Sequence, residues 1–153
     1  METFKTVLIT GGNGNIGRLV AQQMYSKGID VLCLDLPGTE HKNENNYKNI
    51  FLGDISDLDL LNNILKKHRP QAIFHLASLL SGSSETDLER AWNTNATASI
   101  NLMQAAIDCE VNLFFYPSTI ATYGSNTKDP LPEDFMQWPE NMYGVTKVAV
   151  ERF

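Results

Sequence analysis

The stretch VLITGGNGNIG, residues 7–17, decides how the chain is read. Val7-Leu8-Ile9 is a compact aliphatic run of the kind that forms a strand covered on both faces. Four glycines follow within seven residues, and Gly11, Gly14 and Gly17 stand three apart. Glycine tolerates positive φ and lets a backbone come close to a bulky anion. A helix starting there would turn its unpaired N–H groups and positive dipole end toward that anion. The spacing also suits a tight strand-to-helix turn with no ligand, so the loop alone leaves both readings open.

Outward from this loop, strand and helix patterns alternate. Ile16, Leu19, Val20 and Met24 recur at helical spacing, and Gly28 is a stop signal. VLCLD (31–35) is the second expected strand, and the polar stretch 37–49 reads as a loop. NIFLGD (49–54) is the third strand. Asp57 stands at the N-cap of a helix carrying Leu58, Leu61, Ile64 and Leu65, which closes at KKHRP. AIFHLA (72–77) and VNLFFYPS (111–118) are the fourth and fifth strands. Between them runs a long helical pattern from about residue 88 to 107, with Trp92, Ala96, Ile100, Met103 and Ile107 on one side. A last helix is expected from about Tyr143. This βαβα alternation predicts an α/β fold, a Rossmann-type doubly wound parallel sheet in strand order 3-2-1-4-5. The expectation is one domain over 1–153, truncated before the sixth strand that such a fold would normally supply after its last helix.

Composition narrows the function classes. The chain has 153 residues, 42% apolar and 20% charged, which is ordinary for a globular domain. A net charge of −6 argues against nucleic acid, whose phosphates call for a concentrated basic surface. No run approaches the roughly 18 apolar residues of a membrane span. Cys33 and Cys109 match no zinc or redox spacing and read as inert thiols, so a cytoplasmic protein without a metal site is expected.

Asp35 turns the loop toward a dinucleotide. It ends the second strand 18 residues after Gly17, where a carboxylate can accept both hydroxyls of an adenosine ribose. The same charge repels a 2′-phosphate, which favours NAD over NADP. Asp54 ends the third strand, where it can meet an adenine amino group or cap a turn. Farther along, YGVTK sets Tyr143 and Lys147 four residues apart on one helix face. A phenol is a poor base at neutral pH, and a neighbouring ammonium favours its ionised form, so the pair can take a proton from an alcohol. Ser118 and Thr119 end the fifth strand at the edge where open α/β sheets bind ligands. Each feature also has a plain structural reading: an exposed aromatic–lysine pair, or a hydroxyl capping a turn. His75 lies inside a strand among apolar neighbours and reads as structural. Phe114-Phe115-Tyr116 reads as core.

Taken together, TGGNGNIG, Asp35, GDISD, HLAS, Asn95, PSTIATYG and YGVTK resemble the extended short-chain dehydrogenase/reductases, which include the NAD-dependent epimerases and dehydratases. The resemblance covers essentially the whole chain and implies a NAD-binding domain over 1–153 without the family's C-terminal substrate domain. It implies that Gly11, Gly14, Asn15, Ile16 and Gly17 hold a pyrophosphate and Asp35 the adenosine ribose. Asp54 and Ile55 would lie by the adenine, with Leu76, Ala77, Ser78 and Asn95 also on the cofactor. Thr119, Tyr143 and Lys147 would be the catalytic set, with Tyr143 and Lys147 also on the cofactor, Lys147 at the nicotinamide ribose. LASLLSGSSE, Ala91-Trp92 and WPENMYGVTK look most like the short-chain L-threonine 3-dehydrogenases, with Ser81, Ser118 and Thr119 on the substrate. The resemblance therefore implies NAD, a small-molecule substrate (a hydroxy acid or a sugar nucleotide), and a homodimer with a weakened contact. A non-catalytic NAD-binding module is the reading from another class. Little turnover is expected from these residues alone.

Overall fold

A computed structural model describes residues 4–39 and 46–153. Five strands form one parallel sheet: β1 (Thr6–Thr10), β2 (Asp30–Asp35), β3 (Asn49–Leu52), β4 (Ala72–His75) and β5 (Leu113–Phe115). Their order is β3-β2-β1-β4-β5, as the alternation predicts. Val7 pairs with Val31 and Ala72, which places β1 between the two halves of the sheet. The helices are α1 (Asn15–Tyr25), α2 (Leu58–His68), α3 (Ser81–Thr86), α4 (Leu88–Trp92), α5 (Ala98–Asp108) and α6 (Met142–Arg152). Of the expected loop 37–49, residues 40–45 lie outside the described residues.

The described chain divides into two compact units. One comprises residues up to Ala77 together with Asn101–Pro117; the other comprises Ser78–Ile100 and Ser118–Phe153. The first unit contains the sheet. Successive strand residues point to opposite faces, and Val7, Leu8 and Ile9 are all fully buried, as are Val31, Leu32 and Cys33. Both faces are therefore covered, which explains why these strands read as continuous apolar runs rather than alternating ones. Val7, Ile9, Val31 and Ala72 pack with Ala21 of α1 on one side, and Val20, Met24 and Tyr47 close over them. Asp57 caps α2, its carboxylate accepting the Leu60 N–H at 3.0 Å, and Arg69 ends that helix in the left-handed region. Gly28, at φ 75°, ends the turn after α1.

Two helix faces differ from the sequence expectation. In α1, Ile16 and Leu19 are each 64% exposed, and the buried residues are Gly17 and Ala21. The small residues win the inner face because the helix sits against backbone, where a longer side chain has no room. In the second case a π-type turn, Asn93–Thr97, interrupts the long helical pattern between α4 and α5. Along this pattern Trp92 and Ile107 are exposed, while Ala91, Asn95, Ala96, Ser99 and Leu102 are buried.

The second unit is helical. Asn141 caps α6 by accepting the Gly144 N–H at 2.8 Å. Glu85 of α3 accepts the Met142 N–H at 2.6 Å, so the acid of one helix fixes the start of another. A single 3₁₀ turn, Ile120–Thr122, follows Thr119.

Candidate functional site

The glycine loop is built by close approach of backbone. Gly11 has φ 68°, and a Cβ there would stand 2.7 Å from the Ala77 nitrogen and 2.9 Å from the Leu76 carbonyl carbon. A Cβ on Gly17 would meet the Gly11 oxygen at 2.3 Å, so the first turn of α1 rests directly on the loop. Gly14 stands at the N-cap of α1, and no side chain among the described residues caps that end. Gly14, Asn15 and Ile16 are exposed. The residues thus fit a pyrophosphate: the start of α1 offers N–H groups and a positive dipole end, and Gly14 carries no side chain to block them.

Asp35 is held beside this loop. One carboxylate oxygen accepts the Asn13 N–H at 2.8 Å and the other the Leu36 N–H at 2.8 Å. Each oxygen has a second lone pair, so both can also accept a ligand hydroxyl. The Gly53 N–H donates to the Asp35 carbonyl at 2.9 Å, which brings the next predicted residues alongside. Asp54 closes a turn, accepting the Ser56 N–H at 2.8 Å and its hydroxyl at 2.7 Å, and the Ile55 side chain is buried. Leu76 and Ala77 are tied to the end of β1, the latter by a 3.4 Å N–H bond to the Thr10 hydroxyl.

Several supports of the loop carry no sequence signal of their own. The Tyr47 hydroxyl donates to the Gly12 carbonyl, and the Asn13 side-chain amide donates to the Thr39 hydroxyl at 3.2 Å. A Cβ on Gly12 would lie 2.5 Å from the Cys33 sulfur. That thiol is inert for a physical reason: burial, then the Asp35 charge, push it up to about 12. His75 is structural as expected, fully buried with Nδ1 2.6 Å from the Thr10 hydroxyl and its ring beside Phe114 and Tyr116.

In the second unit, Thr119, Tyr143 and Lys147 are carried by the 3₁₀ turn and α6. Thr119 is extended, and its hydroxyl accepts the Ala121 N–H at 3.2 Å, leaving the O–H hydrogen to donate. The Lys147 nitrogen lies 5.6 Å from the centre of the Tyr143 ring. Lys147 is 3% exposed. Burial pulls its ammonium down to about 8, against the opposing pull of the Glu151 carboxylate one turn on. At Gly144 the backbone of α6 comes close to the 3₁₀ turn: a Cβ there would stand 2.3 Å from the Ala121 oxygen.

Other expected residues have different surroundings. The Ser118 hydroxyl donates to Glu151, which also accepts from Gln137 at 2.7 Å. Asn95 is buried and spends its amide on the protein: its oxygen accepts the Leu79 N–H at 2.8 Å and its nitrogen donates to the Leu79 carbonyl at 2.9 Å. Its geometry is that of a brace for residues 78–79, with Ser78 donating to it at 3.4 Å. Ser81 is exposed at the first position of α3. The N-cap role of Asn141 was legible as an Asn three residues before Gly144; the Gly144 contact was not, because it depends on a segment distant in sequence.

Residues 7–153 match the model of the NAD dependent epimerase/dehydratase family. This chain belongs to that family. A curated relative of this family member, the UDP-glucose 4-epimerase of Rhizobium leguminosarum bv. trifolii, is 36% identical over 149 residues, covering 97% of this chain and 46% of the relative. The L-threonine dehydrogenase of Clostridium difficile superposes with a TM-score of 0.86 at 32% identity, over 99% of this chain and 48% of that one. The UDP-glucose 4-epimerase of Brucella ovis in complex with NAD gives 0.88 at 29% identity, over 97% and 46%. The chain thus spans about half the length of the relatives it matches. Among the described residues, no helix is long and apolar enough to cross a membrane, and no group of three or more His, Cys, Asp or Glu side chains could hold a metal ion.

Proposed function

We propose that this chain is the NAD-binding part of an oxidoreductase that removes a hydride from a secondary alcohol. The observation that carries the reading is the pairing of Lys147 with Tyr143 on α6, in a chain whose α1 start and Asp35 suit a dinucleotide. Gly11, Gly14, Asn15, Ile16 and Gly17 would hold the pyrophosphate and Asp35 the adenosine ribose. Asp54, Ile55, Leu76, Ala77 and Ser78 would lie along the rest of the cofactor, with Asn95 bracing that loop. NAD, when bound, supplies the hydride acceptor.

The chain's own residues handle the proton. Thr119 donates a hydrogen bond to the substrate oxygen, and Tyr143 takes the hydroxyl proton as general base. The Lys147 ammonium stabilises the negative charge on the tyrosine oxygen and would also bind the nicotinamide ribose. Ser118 shifts from Glu151 to the substrate, and Ser81 is a second substrate contact.

For the substrate we favour a small hydroxy acid of the L-threonine type, on the LASLLSGSSE and WPENMYGVTK stretches and on the Clostridium difficile neighbour. A sugar nucleotide is the second reading, and the 36% identity to a UDP-glucose 4-epimerase favours it. A cytoplasmic dimeric enzyme fits either. The test joins residues 1–153 to the second half of each neighbour in turn and follows reduced-cofactor absorbance with L-threonine and epimerisation with UDP-glucose. Turnover in one hybrid, lost at least about a hundredfold on Tyr143→Phe, supports the reading. Turnover unaffected by Tyr143→Phe would refute it.

A further inference from the structure

One peptide unit of the glycine loop is gripped on both of its polar sides. Its carbonyl, that of Gly12, accepts the Tyr47 hydroxyl, and its N–H, that of Asn13, donates to Asp35 at 2.8 Å. These bonds form a chain from phenol to peptide to carboxylate. We propose that Tyr47 is a positioning residue for the dinucleotide, acting through the Gly12–Asn13 peptide to set the Asp35 carboxylate that grips the ribose. The inference rests on the NAD reading above.

The chemistry gives this chain a direction. A phenol in this setting can only donate to a carbonyl, and Tyr47 keeps its proton: burial, with the charges of Cys33 and Asp35, pushes it above the ordinary phenol range. The carbonyl is therefore drawn to the Tyr47 side and the N–H left on the Asp35 side. Rotating the peptide would set the Gly12 carbonyl against the carboxylate, a repulsive contact, and would strand the phenol. The bonds also polarise one another, since a donated hydrogen bond at a peptide oxygen strengthens the N–H of the same unit as a donor. Packing adds to the grip. A Cβ on Gly12 would lie 2.5 Å from the Cys33 sulfur and 3.4 Å from the Tyr47 oxygen, so the peptide has no slack beneath it. The second carboxylate oxygen is fixed by Leu36, and Asn13 reaches Thr39 with its side chain. With both oxygens anchored by backbone donors, the remaining lone pairs have one orientation to offer a ribose.

The prediction is a coupling rather than a simple loss. ADP-ribose is titrated calorimetrically into the wild type, Tyr47→Phe, Asp35→Ala and the double variant. Tyr47→Phe should weaken binding about fivefold with Asp35 present, and less than about twofold in the Asp35→Ala background. An equal loss in both backgrounds would mean that Tyr47 supports the loop generally, and would overturn the inference. So would wild-type affinity in Tyr47→Phe. Failure of the wild type to bind ADP-ribose would overturn the NAD reading itself, a distinct result. A measurement that needs no variant accompanies these: the Asn13 amide should exchange with solvent slowly, and free exchange there would contradict the clamp.

Discussion

Lys147 shows how a single residue joins stability to chemistry. An ammonium at 3% exposure is disfavoured by burial, which brings it down to about 8 from an ordinary 10.5. Below pH 8 both folded and unfolded chains carry the proton, and the folded chain bears the full penalty. As pH rises from 8 toward 10.5, the folded chain has lost that proton while the unfolded chain still holds it, so stability rises with pH. Lys147→Met removes this term. Denaturant unfolding should therefore show wild-type stability gaining on that of Lys147→Met by a few kcal/mol across this window; a constant difference would contradict the burial account. The rise belongs to the comparison, because Cys33, pushed up to about 12, works against stability above pH 9 in both proteins. At this scale the sequence was informative where chemistry is local. Asp35 at a strand end and Tyr143 four before Lys147 could be read directly. Tyr47 could not, since its role exists only once the segment near β3 lies against the Gly12 carbonyl.

At the scale of elements, periodicity identified the five strands, the main helices and the inner face of α2, where Leu61, Ile64 and Leu65 are buried, but it misplaced part of the α1 face. Ile16 and Leu19 look like core residues by spacing, yet the sheet-facing side of α1 belongs to Gly17 and Ala21. A hydrophobic pattern reports where apolar side chains recur, not how closely two backbones approach. The π-type turn at Asn93–Thr97 was invisible for a similar reason: its braces reach Leu79, far away in sequence. Gly144 has the same character. Its Cβ would stand 2.3 Å from the Ala121 oxygen, so Gly144→Ala must push the Ile120–Thr122 turn away from α6. We expect a loss of about 1–3 kcal/mol in stability and, in an active hybrid, a fall in kcat larger than any change in KM, because Thr119 precedes the displaced turn. Unchanged stability and kcat would show that the turn yields without moving Thr119.

For the whole molecule, right-handed crossovers leave few ways to order five parallel strands, and the order observed is one of the common doubly wound ones. The family was legible in its motifs, and the match to residues 7–153 shows it. Substrate was less legible, and the relatives explain why: one sequence pattern serves a UDP-glucose 4-epimerase and an L-threonine dehydrogenase alike, over the half of each that this chain spans. What the residues of this half bear on is accordingly the cofactor, and calorimetric titration of the 153-residue chain with NAD and with NADP decides it. The expected result is saturable one-to-one binding of NAD, weaker NADP binding by tenfold or more because Asp35 repels the 2′-phosphate (about 1.4 kcal/mol), and loss of that preference in Asp35→Ala. No saturable binding of NAD, or equal affinity for the two dinucleotides, would contradict it.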